Sequence, residues 1–235
     1  MVRPVFPDRS EGEVEEDIYD VESQFEEEVT APNISVQPEQ KLIYQYNSNC
    51  IEKEGTILVT DEIDATTYNS FLVAFRNLES QGKPINIIVN TPGGDITCMF
   101  SMYDMIQSSF VPVTTIGTGT VCSAGVLLLA CGKYRYVTEN CTLMSHQGSY
   151  DAGEKFDEFK SRYKFAEWCE KRWCTLMARH TPKDASHWKR VSEKEAELWF
   201  LGGEDIVSAG LADKVIDKSM VEFFGQNNEA AKRKE

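Results

Sequence analysis

The 235-residue chain has no apolar run long enough to span a membrane, and it has few cationic side chains relative to its anionic ones. A spanning helix needs about 20 predominantly apolar residues, so no membrane-embedded segment is predicted. The formal net charge is −14, whereas nucleic-acid-binding domains normally present a basic face. The composition therefore argues against both a membrane protein and a nucleic-acid-binding protein.

Metal-binding motifs are also scarce. The chain has seven cysteines but no Cys-x-x-Cys pair, and only three histidines, so the spacings do not favour a zinc site. Several cysteines stand among apolar or small residues, where a free thiol behaves as a small core group: Cys98, Cys122, Cys131 and Cys141. We expect a protein of the reducing cytoplasm with no metal or cofactor. The acidic N-terminus resembles neither a secretory signal nor a transit peptide.

Most of the acidic charge lies at the N-terminus. Residues 1–40 contain twelve acidic residues, two arginines and four prolines, with few clustered apolar residues. Too little apolar surface is available there to offset the entropy of ordering the chain. We predict a largely disordered extension over residues 1–41, a folded domain over 42–220 and a flexible tail over 221–235.

In the folded part, short β-branched runs alternate with segments of helical periodicity. Strands are predicted at 56–60, 85–89 and 113–116, and helices at 64–79, 95–108 and just after residue 123. This alternation is typical of βαβ units and a parallel sheet, whose sites form at the carboxyl ends of the strands.

The second half of the domain completes the predicted α/β architecture. Further strands are predicted at 134–137, 142–145 and 214–216, and a short helix at 203–209. A long helix at 154–179 is predicted to project from the α/β body and to pack against another subunit. Its predicted apolar stripe consists of Phe156, Phe159, Tyr163, Ala166, Trp173 and Leu176.

Two glycine-containing turns follow predicted strands. In residues 119–125, Ser123 stands among small residues before an apolar run, which predicts a sharp turn into a buried helix. Unpaired amides at a helix N-terminus lower the cost of negative charge on a reacting oxygen, although a serine there can also be a plain cap. Residues 91–94, Thr-Pro-Gly-Gly, form either an ordinary turn or a close-approach loop. Together the amides of Gly94 and Ala124 can face one oxyanion.

His146 supplies a base. It ends a predicted strand and precedes a glycine-containing loop, whereas the other two histidines lie at a helix end and in a polar segment. A lone histidine is usually structural, but this imidazole can take a proton from Ser123 and return it to a leaving amine.

Five segments, taken in order, resemble the proteolytic subunit of the ATP-dependent Clp protease, a family of serine peptidases: residues 90–97, 101–107, 119–125, 143–147 and 210–213. The resemblance covers about residues 42–217. It implies a crotonase-like spiral of ββα units with a protruding long helix. It also implies two stacked heptameric rings that enclose a chamber, into which a AAA+ unfoldase feeds unfolded polypeptide.

The resemblance also implies residue roles. Ser123 matches the family nucleophile, His146 the base, and Gly94 and Ala124 the oxyanion amides, while residues 148–153 match the strand that holds substrate. The family's third catalytic residue is an aspartate, and counting back from residues 210–213 places Lys194 there. The carboxylate is then Glu193, Glu195 or Glu197; otherwise the chain has a serine–histidine dyad or is inactive.

Three functions are compatible with these patterns. The first is a serine endopeptidase that cuts unfolded chains inside a closed compartment. The second, motivated by Lys194, is a non-catalytic subunit of a mixed ring. The third is a crotonase-type acyl-CoA enzyme, whose chemistry does not need a serine–histidine pair. We expect the first.

Overall fold

The computed structural model describes residues 55–148, 156–194, 197–217, 219 and 222–223. The predicted N-terminal extension lies outside the described residues, as do most of the predicted C-terminal tail and residues 149–153 of the predicted substrate strand.

The described residues form seven strands and six longer helices. The strands are β1 (Thr56–Val59), β2 (Ile85–Thr91), β3 (Val113–Cys122), β4 (Tyr134–Val137), β5 (Thr142–Ser145), β6 (Leu198–Leu201) and β7 (Lys214–Val215). The helices are α1 (Ala65–Ser80), α2 (Ile96–Ser108), α3 (Ala124–Ala130), α4 (Phe156–His180), α5 (Ala185–Lys194) and α6 (Gly203–Ser208).

The strands build one largely parallel sheet. The order is β1-β2-β3-β4-β7, and β5 pairs with both β3 and β6. Every pair is parallel except β5 with β6. Helices α1 and α2 connect β1 to β2 and β2 to β3, so the predicted alternation of strand, helix and parallel strand is confirmed.

Strand β3 is longer than predicted. The sequence predicts that this strand ends at Ile116. The strand instead continues to Cys122, because it changes partners: residues 114–117 pair with β4 and residues 120–122 pair with β5. Gly119 has φ 55°, and a Cβ at this position would lie 2.8 Å from the side-chain oxygen of Asn90. The extension carries the chain past β2 and delivers Ser123 to the end of β5.

Aspartate caps begin α1 and α2. Asp64 Oδ1 accepts a hydrogen bond from the Thr67 amide at 2.7 Å, the contact of a helix N-cap. Asp95 Oδ1 accepts from the amides of Thr97 and Cys98 at 2.7 and 2.8 Å. Partial burial raises the pKa of the Asp95 carboxyl, but the hydrogen bonds outweigh burial and its pKa lies below the ordinary value. Asp95 therefore fixes the backbone that directly follows Gly94.

The core lies between the sheet and these helices. In α1 the buried residues are Phe71, Ala74, Phe75 and Leu78, which follow the helical spacing of three and four residues. All seven residues of α3 are buried. Burial of a side chain as large as leucine or phenylalanine stabilises the fold by about 1.5–3 kcal/mol.

Among the described side chains of α4, those that belong to the core lie in its second half. Cys169, Cys174, Leu176 and Met177 are buried, and α4 contacts α3 and α5. In the first half, Phe159 and Tyr163 of the predicted apolar stripe are exposed in the single chain. The first turns therefore present aromatic side chains to the outside of the single chain.

Two elements are absent from the sequence prediction. Helix α5 begins after Asp184, whose carboxylate accepts from the His187 amide at 2.7 Å. Its Trp188 is fully buried and packs edge-on against Trp173 of α4 at 5.8 Å between ring centroids. Strand β6 pairs antiparallel with β5 and covers an edge of the sheet beside His146.

The C-terminal end of α4 is tied to the sheet through Arg135 of β4. Arg135 pairs with Asp213, and its Nη1 donates to the carbonyl of His180 at 2.6 Å. The His180 ring shares a 3.0 Å hydrogen bond with the Tyr103 hydroxyl. Burial lowers the pKa of His180, and Arg135 and Arg179 lower it further. This histidine is therefore a structural group away from the predicted site.

Candidate active site

The ends of β3 and β5 lie side by side and bring Ser123 near His146. Val121 pairs with Leu143, and Cys122 pairs with Met144. The Ser123 amide donates to the Met144 carbonyl at 2.8 Å, only two residues before His146. Adjacent strands are about 4.8 Å apart, so the parallel register places the hydroxyl and the imidazole at the same edge of the sheet.

Ser123 has an unusual backbone conformation. Its dihedral angles are φ 53° and ψ −117°, and among the described residues other than glycine it alone has a positive φ. It occupies the N-cap position of α3, yet its side chain caps no amide. The interpretation of Ser123 as a plain helix cap is therefore wrong, because its hydroxyl is not used by the helix. The strained turn leaves this hydroxyl half-exposed beside the helix N-terminus.

The Pro-Gly-Gly turn after β2 packs directly against Ser123. A Cβ added at Gly93 would lie 2.6 Å from Ser123 Cβ and 3.2 Å from the Ala124 nitrogen. Gly93 has φ 99° and Gly94 has φ 145°, values that a residue with a Cβ rarely adopts. The two glycines are therefore required for this close approach, and the turn is more than an ordinary chain reversal.

The bridge to Ile63 orients the Gly94 amide. Ile63 donates to the Gly93 carbonyl at 2.7 Å and accepts from the Asp95 amide at 2.6 Å. The carbonyl of the peptide group between Gly93 and Gly94 points toward Ile63. The N–H of that same peptide group belongs to Gly94 and therefore points away from Ile63. Among the described residues, the amides of Gly94 and Ala124 find no acceptor. Both precede or begin a helix, whose N-terminus favours negative charge.

A cleft of about 1150 Å³ is lined by Ser123, His146, Gly94 and Ala124 together. His146 is half-buried, and no hydrogen bond joins it to Ser123 within the described residues. In free enzymes such bonds are often long and tighten only when substrate is bound. A hydroxyl, an imidazole and two free amides at one cleft can support acyl transfer, because these groups supply a nucleophile, a base and an oxyanion site.

The neighbouring thiol is unsuited to act in place of the serine. Cys122 is buried, and burial raises the pKa of its thiol. Burial also raises the pKa of Cys131 and of Cys141 to about 12. The thiolate is the reactive form of cysteine, so these thiols are inert core groups. In the described ranges no group of three or more histidine, cysteine or acidic residues is placed to hold a metal ion.

Two of the three carboxylates expected near the site have other partners. Glu193 pairs with Lys189 at 3.5 Å on the exposed side of α5, and exposed Glu197 accepts from the Trp199 indole at 2.9 Å. Glu195 lies outside the described residues. Lys194 is the last residue of α5.

Sequence reasoning missed Glu170 of α4, which lines the same cleft as Ser123 and His146. Its Oε1 accepts from the Ser192 hydroxyl at 2.6 Å and from the side-chain Nε2 of Gln147 at 3.4 Å. The only sequence signal for Glu170 is its place between Cys169 and Cys174, which belong to the inward face of the long helix.

None of the helices in the described part of the chain is long and apolar enough to cross a membrane.

Comparison with known proteins agrees with the motif pattern. The family model for Clp protease matches residues 39–219. The chain is 29% identical over 170 residues to the ATP-dependent Clp protease proteolytic subunit 1 of Salinibacter ruber (strain DSM 13855 / M31), and the match covers 71% of this chain and 72% of the relative. The predicted fold class is confirmed, and the chain belongs to the Clp protease family.

Proposed function

We propose that the protein is a serine endopeptidase that cleaves unfolded polypeptides. The observation that carries this proposal is the convergence of Ser123, His146 and the two free amides on one cleft. Membership of the Clp protease family supports a peptidase, and the geometry favours serine as its nucleophile.

The proposed reaction uses these groups in two stages. Ser123 Oγ attacks the scissile carbonyl carbon, and its proton passes to His146. The carbonyl oxygen becomes an oxyanion that accepts hydrogen bonds from the amides of Gly94 and Ala124. The carbon–nitrogen bond then breaks, and the imidazolium gives its proton to the leaving amine.

A water molecule completes the cycle. It attacks the acyl-enzyme carbonyl while His146 accepts its proton, and the same amides stabilise the second oxyanion. Collapse of this intermediate releases the carboxylic acid product and returns the proton to the Ser123 oxygen.

We further propose that the chain works in stacked heptameric rings fed by a AAA+ unfoldase, so that any ATP dependence arises in the partner. The relative from Salinibacter ruber is a proteolytic subunit of an ATP-dependent Clp protease. Four aromatic side chains of α4 are exposed in the single chain: Phe159, Tyr163, Phe165 and Trp168. Apolar patches of this kind are typical of protein–protein interfaces. Native mass spectrometry should find fourteen subunits, and a persistent monomer would contradict this assembly.

A fluorophosphonate probe tests the serine chemistry directly. The purified, assembled protein should form one covalent adduct at Ser123 and hydrolyse small fluorogenic peptides. Ser123→Ala and His146→Ala should each abolish hydrolysis, whereas Ser208→Ala removes an exposed hydroxyl on α6 and should not change it. A homogeneous assembled preparation with no adduct and no turnover would overturn the proposal and leave a non-catalytic ring subunit.

A further inference from the structure

Glu170 connects three segments around the cleft. It is half-buried on α4, and it accepts hydrogen bonds from Ser192 of α5 and from Gln147, the residue after His146. Ser192 is itself buried, so the shorter contact, 2.6 Å, is shielded from water and holds the carboxylate in place.

The two hydrogen bonds use the same oxygen. Both donors contact Oε1, and no described residue donates to Oε2. An ionised carboxylate can accept about four hydrogen bonds through its two oxygens. Glu170 therefore keeps one oxygen available while the other is anchored, next to the segment that carries His146.

Other acidic side chains at the cleft are less suited to this position. Asp95 uses its Oδ1 to cap α2, and Glu193 pairs with Lys189. Glu167 lies one turn before Glu170 on α4 but is exposed and has no hydrogen bond to a described residue. An anchored, half-buried carboxylate loses less entropy on forming one further bond than a freely rotating exposed one.

We propose that Glu170 is the positioning residue for His146. Its free oxygen accepts the Nδ1–H of the imidazole, which leaves Nε2 to take the proton from Ser123 and lets the carboxylate stabilise the imidazolium. The orienting acid thus comes from the long helix, and the neutral hydroxyl of Ser192 anchors it from α5, the element that ends at Lys194. This inference rests on the proposed function.

Three variants separate this role from simple packing. Glu170→Gln keeps the size and an oxygen for the Ser192 hydroxyl but removes the charge, and we expect kcat to fall on the order of 10²–10⁴-fold with little change in KM. Glu170→Asp keeps the charge on a shorter stem and should recover part of kcat. Glu204→Gln removes an exposed carboxylate from α6 and should leave kcat unchanged.

A spectroscopic readout is independent of peptide hydrolysis. The chain has only three histidines, so ¹⁵N-histidine labelling gives a simple spectrum in which His146→Ala identifies the His146 signals. The native protein should show a downfield ring N–H proton on His146 Nδ1, and Glu170→Gln should lose it while its melting curve and assembly match the native protein.

The two proposals fail in different ways. A native protein that neither hydrolyses peptides nor forms the Ser123 adduct refutes the serine peptidase, but the His146 ring proton still reports on Glu170. The positioning role is overturned if Glu170→Gln keeps the native ring proton. It is also overturned if kcat is lost through Glu167→Gln, Glu193→Gln or Glu197→Gln while Glu170→Gln retains it.

Discussion

The strained backbone conformation of Ser123 predicts that this residue destabilises the fold. With φ 53° and ψ −117°, its Cβ is held in a region that is readily available only to glycine. Such a residue costs of the order of 1–3 kcal/mol, and the surrounding structure must enforce it. Here the enforcement is visible, because the Ser123 amide is bound to the end of β5 and the Pro-Gly-Gly turn packs on its side chain.

Ser123→Gly and Ser123→Ala isolate the strain, because both remove the hydroxyl but only the glycine removes Cβ. Relief of the backbone strain should stabilise the folded state of the glycine variant by about 1–3 kcal/mol. The greater conformational freedom of glycine stabilises the unfolded chain by about 0.5–1 kcal/mol and opposes this gain. The glycine variant should therefore be more stable than the alanine variant by about 1 kcal/mol. For a chain of this size the difference corresponds to a Tm higher by about 2–4 °C.

The measurement is thermal and urea unfolding of the two variants at one protein concentration and in one assembly state. A matched pair at Ser101, inside α2, provides the control, because ordinary helical geometry makes Ser101→Gly less stable than Ser101→Ala by about 1 kcal/mol. The opposite signs at the two positions are the expected result. If Ser123→Gly is no more stable than Ser123→Ala, the turn stores no strain.

Three further predictions concern the surroundings of the site. Gly94→Ala would place Cβ 2.3 Å from the Ile63 carbonyl oxygen, so displacement of the amide should lower kcat by about 10²–10³-fold in a peptide hydrolysis assay; native kcat would contradict it. Asp95→Ala should lose about 1 kcal/mol at pH 7 in urea unfolding. Because the folded pKa of Asp95 is depressed, that contribution is complete above the unfolded pKa of about 3.9 and is lost as pH falls through the folded pKa. If the native protein and Asp95→Ala differ in stability as much at pH 3 as at pH 7, this prediction is refuted. Burial lowers the pKa of His180, so the unfolded chain binds the proton first and stability should decline as pH falls below about 6.5. The decline should be weaker in His180→Gln, as measured by melting at pH 8 and pH 5.5, and equal slopes would contradict the assignment.

Much of the fold could be predicted from the sequence because helix caps and helical spacing depend on residues close together in the chain. Asp64 caps α1 from three residues away, and the buried positions of α1 repeat at helical spacing. Helix α5 was missed although Asp184 is a cap of the same kind, because its exposed face is strongly charged and its core contact depends on Trp188. Strand β6 is only four residues long, and its Leu-Trp-Phe-Leu run becomes a strand through pairing with β5.

The sequence by itself determined the two glycine turns, the serine and the histidine, because each is defined by residues adjacent in the chain at the end of a strand. Tertiary structure alone decided that β3 changes partners after residue 117, which sets Ser123 beside the end of β5. It also decided that Glu170, 23 residues along the chain from Gln147, accepts a hydrogen bond from that side chain. Hydrogen bonds within a turn depend on residues that are neighbours in the sequence. The contacts among α4, α5 and β5 instead depend on the tertiary packing that buries Trp188, Leu176 and Met177.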